Sequence, residues 1–169
     1  MSGTATRRYA ELQCASHFSF LRGASGCDEL FAQAAVCGLE ALAVTDRNSV
    51  AGIVRAHEAA KATGVRLVIG CRLELVDETA ILVYPTDRAA YSRLCRLLTL
   101  GKGRAGKGAC RLDWSDLADH AGGLIAVLVP ARPRSGISTF PICRSRRSGC
   151  ERGTSVSLPQ RPNQHHNYS

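Results

Sequence analysis

"ALAVTDRNSVAGIVRAHEAAKATG", residues 41–64, passes from an apolar run through polar turn residues into a helical pattern. "ALAVT" (41–45) is too short for a buried helix and reads as a buried strand. "SVAGIVRAHEAAKATG" (49–64) places Val50, Ile53, Val54 and His57 on one helical face, and Gly64 stops it. Strand followed by helix is half of a βαβ unit. At the junction stands Asp46, with Arg47 beside it. A carboxylate at the end of a buried strand has a metal, a proton or a partner to hold.

The same alternation extends both ways. Upstream, "YAELQCA" (9–15) alternates polar and apolar as a strand, and "HFSFLRGASG" follows as a loop. Ser25 is the expected cap of a helix over 27–37, with Asp28 and Glu29 in its first turn and Gly38 as its stop. Downstream, "RLVIGCRLEL" (66–75) and "TAILVYP" (79–85) read as strands joined by the acidic turn Asp77-Glu78. A helix over 86–101 starts at Thr86 or Asp87 and buries Tyr91, Leu94, Cys95 and Leu98. A shorter helix over 113–121 and the strand "LIAVLV" (124–129) complete the pattern. The order β-α-β-α-β-β-α-α-β predicts an α/β fold with right-handed crossovers and mainly parallel strands. In such folds the site lies at the C-terminal ends of the strands, which puts Ala15, Asp46, Arg47 and Arg72 on one rim.

Charge is unevenly placed. The 169 residues carry a formal net charge of +8. Residues 131–169 hold seven arginines and one acid, a surplus of six, so the body carries only +2. After Pro130 the chain is rich in Arg, Ser and Pro without periodicity, and it is expected to be disordered because it buries too little apolar surface to offset its ordering entropy. Residues 1–7 are expected to be a flexible N-terminus, and 8–130 the folded body. No CxxC pair occurs among the eight cysteines, and "MSGTATRRYAEL" has no apolar signal core. Those features predict reduced, mostly buried thiols and a cytoplasmic chain. The longest apolar run is too short to span a bilayer, so no membrane partner is expected.

Each candidate for chemistry has a plainer explanation. Asp46 is one carboxylate, whereas a metal site needs about three or four converging ligands. Arg47 and Arg72 cannot ligate a cation, and Ala15 offers no donor, so helix capping or an arginine pair suits Asp46 better. "GKGRAGKG" (101–108) fits the G-x-x-x-x-G-K phosphate loop. It follows a helix, however, and Gly108 stands where a magnesium-binding hydroxyl belongs. It reads as a mobile basic loop whose Lys102, Arg104 and Lys107 are candidate contacts to a nucleic-acid backbone. His17, His57 and His120 are isolated, no G-x-S-x-G elbow occurs, and no acid/base pair is assembled.

Four segments in order, "YAELQCASHFSFLRGAS", "ALAVTDRNSVAGIVRAH", "RLVIGCRLEL" and "YPTDRAAYSRLCRLLTLGKGRAGKG", resemble the N-terminal PHP (polymerase and histidinol phosphatase) domain of bacterial error-prone DNA polymerases. The resemblance covers about residues 8–130. It implies part of a distorted (β/α)7 barrel whose active members hold metals at the C-terminal ends of the strands. The metal-binding H-x-H of such domains falls on Gln13 and Ala15. T-D-H-G falls on Thr45-Asp46-Arg47-Asn48, and a ligating glutamate falls on Arg72. Only Asp46 survives of these five positions, so the resemblance implies a degenerate site with no catalytic residue and no cofactor. The polymerase itself would use magnesium in a palm domain that nothing in this sequence matches. Arg72 or Arg47 is the expected replacement for the cation beside Asp46. DNA, reached through a full-length polymerase, and other mutagenesis or replication proteins are the implied partners. The tail beyond 130 is expected to lie outside the family's reading frame. Two other functions remain open: a small basic nucleic-acid-binding protein, and a PHP-type metal-dependent phosphoesterase.

Overall fold

A computed structural model describes residues 9–130. The expected flexible N-terminus and disordered tail fall outside the described residues.

Three strands build a parallel sheet in the order β1-β2-β3: β1 (Ala10–Cys14), β2 (Ala41–Val44) and β3 (Arg66–Ile69). Helices α1 (Cys27–Val36) and α2 (Ile53–Thr63) are the crossovers between them. Every residue of β2 is buried, which is why its run is apolar throughout instead of alternating. Phe31 of α1, Val44 of β2 and Ala56 of α2 meet in one core beneath this sheet. Burying a side chain the size of Phe31 contributes about 1.5–3 kcal/mol.

The second half departs from a mainly parallel sheet. Strands β4 (Cys71–Glu74), β5 (Ala80–Pro85) and β6 (Leu124–Val129) form a separate antiparallel sheet in that order. The turn between β4 and β5 explains half of this, because so short a connection joins only antiparallel strands. Thr79 N donates to Asp77 Oδ1, Leu75 N donates to Thr79 O, and Glu78 takes a positive φ of 64° at the tip. Helices α3 (Arg88–Gly103) and α4 (Trp114–His120) carry the chain from β5 to β6. Leu73, Val83, Leu94, Leu97 and Leu112 form the core of this half.

The segment read as one strand over 66–75 is two strands broken at Gly70. Gly70 N still donates to Val44 O of the parallel sheet. A Cβ there would sit 2.7 Å from Thr45 Cγ2 and 2.9 Å from the Tyr84 ring, so the close approach requires glycine. Beyond Gly70 the backbone turns to pair with β5.

Helix ends and faces also differ in detail. Asp87 caps α3 through Ala90 N at 2.7 Å. At α1, Gly26 occupies the capping position expected of Ser25, and Glu29 reaches back to Gly26 N. On α2 the buried residues are Ile53 and Ala56, whereas Val54 and His57 are exposed. The small Ala56 lets α1 pack closely, and a pattern read by hydrophobicity alone favours the larger Val54. On α3 the fully buried stripe runs through Ala90, Leu94, Leu97, Leu98 and Gly101, leaving Tyr91 and Cys95 half-buried. Among the described residues, no helix is long and apolar enough to cross a membrane.

Candidate functional site

The end of β2 and the start of β4 are joined by a parallel bridge between Arg47 and Arg72. Arg72 N donates to Asp46 O at 3.0 Å, and Asn48 N donates to Arg72 O at 2.8 Å. Directly paired residues on neighbouring strands project to the same face, so the two guanidiniums emerge side by side. Along β4 the side chains alternate: Cys71 and Leu73 go into the core, while Arg72 and Glu74 turn out. Glu74 therefore lies on the arginine face. Its Oε2 accepts from Arg47 Nε at 2.5 Å, and its Oε1 stands 3.5 Å from Arg72 Nε.

A third arginine arrives from the loop after β1. Ser19 N bonds back to Ser16 O, and Gly23 N to Ser19 O. A Cβ on Gly23 would lie 2.2 Å from Ser16 O, so only glycine permits the fold-back. Arg22 is thereby aimed at the cleft, where its Nη1 donates to Glu74 Oε1 at 2.6 Å.

Asp46 lies beneath this cluster, 1% exposed. Its Oδ1 accepts from Ser16 N at 2.8 Å and Ser19 Oγ at 2.6 Å, and its Oδ2 accepts from Ser16 Oγ at 2.7 Å. Ser19 Oγ in turn accepts from Arg47 N at 2.9 Å. The expected pairing of Asp46 with a guanidinium is therefore replaced by hydroxyl and amide donors. Arg47 and Arg72 turn to Glu74 instead. The expected capping of the following helix is also replaced, because the carboxylate secures the β1 loop.

Gln13, Ala15, Arg47 and Arg72 line a single cavity of about 250 Å³, together with Ser19, Arg22 and Thr45. Asp46 forms no part of that wall. These residues supply an amide, a methyl group, hydroxyls and three guanidiniums. No group of three or more His, Cys, Asp or Glu side chains able to hold a metal occurs among the described residues. Asp46, the one carboxylate among the five expected ligand positions, already accepts three hydrogen bonds. This donor set does not suit a divalent cation.

The basic loop faces a second cavity of about 610 Å³, lined by Phe18, Arg47, Asn48, Ser49 and residues of the 102–110 segment, among them Lys102 and Lys107. Arg104 does not join them. Its Nη1 pairs with Asp116 Oδ2 at 2.6 Å and ties the end of α3 to α4. Of the three candidate phosphate contacts, two lysines face the cavity and the arginine is engaged elsewhere.

Thiols and carboxyls elsewhere follow their surroundings. Burial pushes the Cys71 thiol up to about 12, so it stays protonated. Cys14 and Cys27 are raised as well, first by burial and further by nearby negative charge, including Asp46. The Asp113 backbone N–H and then Arg104 hold the Asp116 carboxyl below its usual value. The expectation of mostly buried thiols is not met among the described residues: Cys27 and Cys71 are buried, Cys14, Cys95 and Cys110 are partly buried, and Cys37 is exposed at the end of α1. His17 and His57 are exposed, and His120 Nδ1 contacts Asp116 O at 2.8 Å.

Sequence reading passed over Glu74, Arg22, Ser16 and Ser19. The i, i+2 spacing of Arg72 and Glu74 in "CRLEL" was a usable signal for Glu74. The serines and Arg22 carried none, because only the β1–β2 pairing and the Gly23 turn bring them to Asp46 and Glu74.

The PHP domain profile matches residues 11–145, fifteen residues past the boundary expected at 130. The chain is 57% identical over 157 residues to "Error-prone DNA polymerase 1" of Agrobacterium fabrum, covering 92% of this chain and 14% of that protein. It is 68% identical over 123 residues to "Error-prone DNA polymerase 2" of Rhizobium meliloti, covering 73% and 11%. With the "Error-prone DNA polymerase" of Caulobacter vibrioides it shares 49% over 148 residues, covering 87% and 14%. The chain thus spans 11–14% of the length of these relatives. Matches of 148 and 157 residues extend beyond residue 130. By the profile match over most of its length, the chain belongs to the PHP domain family.

Proposed function

We propose that this chain is the N-terminal PHP module of an error-prone DNA polymerase that acts in damage-induced mutagenesis and translesion DNA synthesis. In this reading the module is structural. Its β-strands are part of a PHP-type barrel, its degenerate site holds no metal, and nucleotidyl transfer belongs to the rest of a full-length, magnesium-dependent enzyme. DNA is then the partner of the whole polymerase in the cytoplasm, with other mutagenesis or replication proteins.

One observation carries the structural assignment. Where a PHP site would gather cation ligands, three guanidiniums converge on Glu74, and the remaining carboxylate is sequestered by Ser16 and Ser19. A divalent cation there would meet like charge and too few lone pairs. The names and identities of the relatives support the polymerase assignment.

Two assays test the reading. Phosphomonoester and single-stranded DNA hydrolysis by the chain in manganese, zinc or magnesium should not exceed the rate of an Asp46→Ala control. Replacing the matching segment of the Rhizobium meliloti polymerase with residues 9–130 should retain metal-dependent primer extension. Metal-stimulated hydrolysis that depends on Asp46 would contradict the structural role. Loss of extension in a folded chimera would contradict the module assignment.

A further inference from the structure

We propose that the Arg22–Arg47–Arg72 cleft binds a phosphate group, with Glu74 as an internal occupant that the phosphate displaces. Three guanidiniums line a cavity of about 250 Å³, and the remaining wall comes from Gln13, Ala15, Ser19 and Thr45. Each guanidinium offers several N–H donors in a fixed fork suited to tetrahedral oxyanions. Glu74 engages only one donor each from Arg22 and Arg47. Arg72 Nε is buried without a hydrogen-bond partner among the described residues, although Glu74 Oε1 lies 3.5 Å away. One planar carboxylate cannot satisfy three forks. A phosphate, with oxygens in four directions, accepts from all of them.

Electrostatics point the same way. Among the described residues, Glu74 and Asp46 are the carboxylates bonded into the cluster, against three arginines, which leaves an excess of positive charge among them. Asp46 is walled off by serine donors and does not face the cavity. Arg47 also borders the neighbouring cavity that holds Lys102 and Lys107, which extends the positive surface away from the cleft. Arg22 and Arg47 are nearly half-exposed, so a ligand reaches them without unfolding the loop. The proposal stands on these guanidiniums and holds whether or not the chain serves a polymerase.

The test is calorimetric and fluorescence titration of the full chain. The probes are inorganic phosphate and a short oligothymidylate with or without a 5′-phosphate. Saturable binding is expected, weakened about tenfold by Arg22→Gln and by Arg47→Gln, and strengthened about tenfold by Glu74→Gln. Arg88→Gln removes the same charge from an exposed position on α3 and should change affinity less than twofold. The tail arginines are common to all variants, so differences isolate the cleft. Arginine-dependent inorganic phosphate binding identifies a free phosphate or monoester site. Arginine-dependent binding of the oligonucleotide alone identifies the nucleic-acid backbone as the source. If Glu74→Gln fails to fold by circular dichroism, the two arginine variants decide alone. Unchanged affinity in both, or equal weakening by Arg88→Gln, would overturn the proposal.

Discussion

Asp46 shows how far a buried carboxylate depends on the donors around it. A buried carboxylate without partners costs several kcal/mol, so its three donors are a structural requirement. Ser19→Ala removes a donor to Asp46 and also the acceptor of Arg47 N. Urea denaturation should show a loss of about 1–3 kcal/mol. A loss within experimental error would mean that the network is not strained by removal of one hydroxyl. The sequence made Asp46 conspicuous because a lone acid after an apolar strand needs a reason. Its partners were illegible, because Ser16 and Ser19 reach it only through the register that pairs Cys14 with Val44.

Asp116 makes a pH-dependent contribution at the same scale. Its folded value lies below the ordinary 3.8, owing first to the Asp113 backbone N–H and then to Arg104. A lowered folded value stabilises the protein above the unfolded value, and the contribution disappears as pH falls through the folded one. Thermal melts should therefore lose stability below about pH 3.8. Asp116→Asn should show a shallower decline there and a lower melting temperature at neutral pH. Identical acid slopes for both proteins would exclude the Arg104–Asp116 contact as a contributor.

At the scale of elements, Gly70 is the point where one sheet gives way to the other. The apolar pattern of 66–75 made a strand legible, and the acidic turn at Asp77-Glu78 announced the hairpin. The break was not legible, because an isolated glycine signals close approach without saying what approaches. Here it is Thr45 and Tyr84, whose hydroxyl also donates to Leu12 O at 2.6 Å and ties β5 to β1. Gly70→Ala should destabilise the fold by about 1–3 kcal/mol through overpacking, measured by denaturant unfolding. Unchanged stability would show that the Tyr84 ring moves aside freely. The helices were legible to within a few residues because their starts and stops are chemical: Asp87 caps α3, and Gly38 and Gly64 take positive φ at the ends of α1 and α2. The buried face of α2 was misread because close packing selects Ala56 over the bulkier Val54.

Across the whole molecule, two cores lie beneath two sheets, and the thiols report on both. Cys27 lies in the core of the parallel half and Cys71 in that of the antiparallel half, whereas Cys37 is exposed. Alkylation followed by mass spectrometry should modify Cys37 in the native state and spare Cys27 and Cys71 until denaturant is added. Labelling of Cys71 as fast as Cys37 would contradict the closed core around β4. The alternation of strands and helices made the α/β class legible from sequence. The antiparallel half was less so, since element order alone does not fix the direction of a strand returning through two helices.

Metal content tests the central claim most directly, because a rim carrying Arg22, Arg47 and Arg72 should not hold a divalent cation. The purified chain, equilibrated with manganese or zinc and then desalted, should retain well below one equivalent that depends on Asp46 when measured by plasma mass spectrometry. Wild type and Asp46→Ala should give the same low value, any metal held by His165 and His166 being common to both. One or more equivalents in wild type that disappear in Asp46→Ala would contradict the account.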